Sequence, residues 1–116
     1  MPRLELAHLL ELLGQEQACY TALLDLSRAQ RRMLQQGRLE RIGDLMREKQ
    51  RVLDRLDGVE QRLTAAKEDW AKLRESLSDE DRQVLDLSLA TAGEILGELI
   101  SSERASEGLL RTRRAA

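Results

Sequence analysis

The chain has no phenylalanine, and aromatic residues make up only 2% of its 116 positions. A core drawn from Leu, Val, Ile and Ala suits helices packed on helices and not a broad sheet. The only proline is Pro2, so no proline breaks a helix further along. The single cysteine, Cys19, excludes an internal disulfide and fits a reducing compartment. No apolar run approaches the ~20 residues that span a bilayer. The opening Met1-Pro2-Arg3-Leu4-Glu5 lacks the apolar core of a secretory signal, so a cytoplasmic protein is expected.

Catalytic chemistry is equally short of material. The one histidine, His8, and Cys19 lie on one helix, roughly 16 Å apart along its axis, too far for a nucleophile–base pair. No CxxC, HExxH, phosphate-binding Gly-rich loop or GxGxxG occurs, so the chain reads as no enzyme, with no cofactor and no metal. Gly93 and Gly97 form a GxxxG, a weak signal outside a membrane span.

Charge, by contrast, is plentiful. Asp, Glu, Lys and Arg supply 34% of the residues, with a net charge of −2. The two signs are interspersed, which argues against a dedicated nucleic-acid surface. Against that background stands a seam: Ile42, Leu45, Lys49, Val52, Leu56, Val59, Leu63, Ala66, Trp70, Leu73 and Leu77. Steps of three and four alternate without a slip, the 3.5-residue period of coiled-coil packing. Arg41, Asp44, Glu48, Arg51, Arg55 and Arg62 form the charged opposite face.

The expected architecture is all-α: a long antiparallel helical hairpin plus a third long helix, a coiled-coil-like three-helix bundle in one domain over residues 1–116. Helix one is expected over about 4–36, carrying Leu6, Leu9, Leu10, Leu13, Tyr20, Leu23, Leu24, Ser27 and Leu34, with Gly37 as its left-handed cap. The short link through Arg38 predicts an antiparallel neighbour. Helix two is expected over about 39–77. Ser78 is a natural N-cap, and Asp79, Glu80 and Asp81 suit the positive end of a third helix over about 79–111. The alternative is one continuous helix bent at that point. A basic tail follows at 111–116.

Taken singly, His8 reads as a boundary residue, Cys19 as a half-buried packing residue and Trp70 as core. Lys49 reads as a seam residue that snorkels its charge outward, or else fixes register. The apolar positions exceed what a hairpin needs. Leu39, Met46 and Leu53 flank the seam, and the third helix carries both a Leu85–Ala92–Leu99 line and a Leu89–Leu96–Ile100 line. Spare apolar faces mark helix–helix recognition. Small residues on the third helix suggest a shallow groove, so the candidate partner-binding residues are Ile95, Leu96, Leu99, Ile100, Ser102, Ser106, Leu109 and Leu110.

Three stretches carry a family resemblance. These are Leu9-Leu10-Glu11-Leu12-Leu13 with Glu16, Tyr20 and Leu23-Leu24; then residues 34–42 (LQQGRLERI); then residues 49–56 (KQRVLDRL). Over about residues 6–63 the chain resembles the FlgN-like flagellar export chaperones, although Arg38 stands where that family usually has an acidic residue. The resemblance implies a cytoplasmic bacterial chaperone. Its partners would be flagellar hook-associated export substrates, the hook–filament junction proteins whose C-terminal helix it would bind, and the type III export machinery. Two other readings use the same features. One is a self-associating coiled-coil scaffold, a homo-oligomer without a client. The other is an adaptor whose Arg111, Arg113 and Arg114 touch nucleic acid or an anionic membrane.

Overall fold

The computed structural model describes residues 2–115, with side chains for residues 4–109 and for residue 111. Every element among the described residues is helical. Helix α1 (Pro2–Gln36) is the protein's spine, and α2 (Ile42–Ala66) and α4 (Asp79–Ala115) both pack along it. Between them come a 3-10 turn (Lys67–Asp69) and the short α3 (Trp70–Ser76). The molecule measures 58 × 22 × 17 Å, a rod.

The hairpin forms where Gly37 permits it. Its φ of 70° lets two reversed hydrogen bonds close the end of α1, from the Gly37 N–H to the Leu34 carbonyl and from the Arg38 N–H to the Met33 carbonyl. This pair satisfies carbonyls that a helix end leaves unbonded. The second corner is sharper. Leu77 is extended (φ −80°, ψ 150°), and the Asp81 N–H bonds the Ser78 hydroxyl at 3.2 Å, so the third helix folds back and is not continuous with the second. Arg82 clamps this corner, its guanidinium donating to the carbonyls of Arg74 (2.9 Å) and Glu75 (3.0 Å).

The hairpin and fold-back make α1 and α4 parallel neighbours. Gln17 bonds Ser88 (2.9 Å to the carbonyl), and Arg28 pairs with Glu98 at 3.3 Å. The wide contact surface of α1 comes from adjacent buried pairs, Leu12–Leu13, Cys19–Tyr20 and Leu23–Leu24. Adjacent residues on a helix diverge by about 100°, so each pair reaches two neighbours. Two clusters result. One joins Leu6, Leu9, Leu12 and Leu13 to Val59, Leu63, Leu73, Leu77 and Leu85. The other joins Cys19, Tyr20, Leu23 and Leu24 to Val52 and Leu99.

Two sequence expectations need correction. The second helix does not run unbroken to residue 77; residues 67–69 tighten into the 3-10 turn. A straight α-helix drifts about 20° per heptad from a 3.5-residue seam, which accumulates over the length of α2. A 3-10 turn winds about 20° more per residue than an α-helix, so three such residues restore most of the lost phase. Leu73 and Leu77 thereby stay buried on the α1 side, and Trp70 packs half-buried against the same cluster. The second correction concerns the snorkelling reading of Lys49. Its ammonium does not escape to solvent but meets Glu103 of α4 at 2.5 Å, with both side chains mostly covered.

Candidate functional site

The backbones of α2 and α4 scarcely approach one another, although each lies close to α1. Their side chains bridge part of the gap, where Leu56, Ile95 and Leu96 pack around the second cluster. Beyond Lys49 the gap opens into a groove of about 380 Å³. Leu23 of α1 and Leu99 of α4 form its floor. Lys49 and Leu53 stand on one wall, and Ile100, Glu103, Arg104 and Glu107 on the other.

Apolar side chains continue outward from this groove. Leu39, Met46, Leu53 and Ile100 are 53%, 45%, 38% and 42% exposed. Met46 and Leu53 lie seven residues apart in one row along α2, whereas Leu39, seven residues before Met46, sits in the turn that precedes the helix. All three flank the seam in the sequence, and within the folded chain they remain uncovered.

The eight candidate residues divide. Leu99, Ser102 and Ser106 are buried. Ile95, Leu96 and Leu109 are half-buried, and Ile100 is exposed; the side chain of Leu110 lies outside the described residues. The small residues serve an approach inside the chain. Ser102 lies Oγ to Oγ against Ser27 of α1 at 2.8 Å, and Ser106 is buried with no hydrogen bond for its hydroxyl among the described residues. Leu109 lines a different cleft, between α4 and the arginines of α1. Gly93 and Gly97 are exposed with open space around them, so their GxxxG makes no close helix contact within the chain.

One polar cluster escaped the sequence reading. Glu16 is 7% exposed between α1 and α2. Burial, and then the hydrogen bond and charge of Glu60, push its carboxyl up to about 7, against the opposing pull of Lys67 and Tyr20. The Tyr20 hydroxyl donates to Glu60 Oε1 at 3.1 Å. Burial also raises the Tyr20 hydroxyl and the Cys19 thiol, which is a packed and unreactive form of cysteine. A signal was present: Leu9, Leu13, Glu16, Tyr20 and Leu23 step by four, three, four and three, placing Glu16 in the apolar stripe. His8 is exposed beside the cleft between α1 and the 3-10 turn.

Among the described residues, no cluster of His, Cys, Asp and Glu is grouped to hold a metal, and no helix is long and apolar enough to cross a membrane. A family model described as FlgN protein matches residues 1–108. No curated protein sequence and no solved structure matches the chain.

Proposed function

The chain belongs to the FlgN family, a family of flagellar export chaperones, and on that premise we propose that it binds the C-terminal helix of a hook–filament junction protein in the α2–α4 groove. The observation that carries this reading is the uncovered pair Leu53 and Ile100 on opposite walls of a groove already floored by Leu23 and Leu99, with Met46 exposed one heptad before Leu53 on α2. An amphipathic client helix lays its apolar face into such a groove. Lys49, Glu103, Arg104 and Glu107 give the rim charges of both signs, which fix register and orientation more than affinity. Sparse aromatic anchors keep affinity moderate, which suits a client that must be released. Of the eight candidate residues, Ile100 offers the client the most direct contact, with Leu96 and Leu99 beneath it.

In this reading the protein works in the cytoplasm, without catalysis, and hands its client to the type III export machinery. Sedimentation equilibrium of the full chain, alone and with a peptide from a junction protein's C-terminal helix, tests it. A monomer that forms a one-to-one complex, lost in Leu53→Glu and Ile100→Glu, is the expected outcome. A stable homo-oligomer that ignores the peptide supports the second reading, a self-associating scaffold whose apolar row is covered by another copy.

A further inference from the structure

Charges that look interspersed in the sequence separate along the rod. Residues 28–51 carry eight Arg or Lys against three Asp or Glu, and residues 52–94 carry six against eleven. The hairpin gathers residues 28–51 at one end of the bundle, and the parallel α4 brings its C-terminal turns to that same end.

Two clefts open there and share Arg32. The larger, about 570 Å³, lies between Arg28, Arg31 and Arg32 of α1 and Ala105 and Leu109 of α4. The smaller, about 390 Å³, lies between Ala29, Arg32 and Met33 of α1 and Arg38, Glu40 and Arg41 of the turn. Arg28 is paired with Glu98. Arg31, Arg32, Arg38 and Arg41 form no ion pair among the described residues, whereas Arg47, Arg51, Arg74 and Arg111 each do.

Four guanidiniums that form no ion pair, set around two concavities whose linings hold one carboxylate, Glu40, leave a local excess of positive charge that an anionic partner neutralises. The cleft floors narrow the choice of anion. Ala29, Met33, Ala105 and Leu109 are apolar, so the best-matched ligand carries apolar side chains beside its carboxylates. Nucleic acid fits less well: there are no aromatic side chains at the clefts for bases to stack on, and Glu40 lines one of them. A bilayer is flat, whereas these arginines ring concave clefts. Arginine also pairs with carboxylates in a planar, two-pronged geometry.

We propose that Arg31, Arg32, Arg38 and Arg41 form a second docking surface, distinct from the α2–α4 groove, for an acidic amphipathic segment of a partner protein. The test is fluorescence anisotropy of the full chain against a labelled synthetic helical peptide with Glu on one face and Leu on the other. Binding is expected, weakened by added salt, and absent for the same peptide with Lys in place of Glu. Arg31→Glu with Arg32→Glu weakens it by about tenfold or more, as does Arg38→Glu with Arg41→Glu, while circular dichroism stays native. The second pair lies at or beside the exposed turn, so it carries the test if the first pair disturbs α1. Leu53→Glu in the other groove leaves this binding unchanged. The proposal is overturned if the native chain ignores the acidic peptide, or if both double variants bind it as the native chain does. It is equally overturned if phosphatidylserine vesicles or a DNA duplex bind more tightly than the peptide. End-to-end self-assembly at low salt that excludes the peptide would also overturn it, by making the partner a second copy.

Discussion

Ser27 of α1 and Ser102 of α4 face each other Oγ to Oγ at 2.8 Å inside the bundle, each the other's hydrogen-bond partner. The small pair lets two parallel helices lie close together while leaving neither hydroxyl unsatisfied. Ser27→Ala or Ser102→Ala alone strands the other hydroxyl and is expected to cost about 1–3 kcal/mol. The double alanine variant removes both polar groups and returns most of that loss. Urea denaturation of all four proteins checks this as a double-mutant cycle, and strict additivity would contradict it.

Glu16 makes stability fall as pH rises. Its carboxyl is held at about 7 in the folded chain against an ordinary value of 4.5. Below about 4.5 the group is protonated in both states and its contribution is complete. Between there and about 7 the unfolded chain gives up the proton while the folded chain keeps it, so stability declines, by about 1–3 kcal/mol in all. Glu16→Gln is expected to flatten this slope and to melt higher than the native protein at pH 8, because an amide still donates to Glu60. Thermal melts from pH 4 to pH 8 decide it; an unchanged slope in Glu16→Gln would refute the assignment.

Gly93 and Gly97 stand in open space on an exposed face of α4. Replacing each with Ala raises helix propensity and restricts the unfolded chain, for a gain of about 0.5–1 kcal/mol apiece. Both variants should melt higher than the native chain. A loss of stability would mean that the pair meets another helix in an assembly.

The corner at Ser78 rests on two side chains. Ser78→Ala removes the N-cap of α4 and should cost about 1 kcal/mol. Arg82→Ala uncovers the carbonyls of Arg74 and Glu75 and should cost a similar amount. Because the corner joins the third helix to the hairpin, size-exclusion chromatography of the double variant is expected to show more domain-swapped dimer than the native protein.

Much of the bundle was legible because its signals are local. Gly37, Ser78 and the acidic triplet that follows it announce two corners through backbone chemistry alone. The unbroken three–four seam set the face of α2, and every one of its members is buried or half-buried. What the sequence concealed depends on neighbours distant in the chain. The 3-10 turn at residues 67–69 has no Gly or Pro to mark it, since it answers an accumulated phase error and not a local preference. Ser102 and Ser106 carry no mark of whether the helix they admit is a partner's or their own. Lys49 finds Glu103 only after α4 has folded back, and the arginines of residues 28–41 become a cluster only once the hairpin has closed.

The spine-like position of α1 has a mechanical consequence. Since α2 and α4 each grip α1 and barely hold one another, they behave as two jaws mounted on a common bar. Spreading them breaks the Lys49–Glu103 bridge and loosens the packing of Leu56, Ile95 and Leu96 over the second cluster, while the backbone of each jaw keeps its own bed on α1. The mouth between them can therefore change its width without either jaw leaving the common bar.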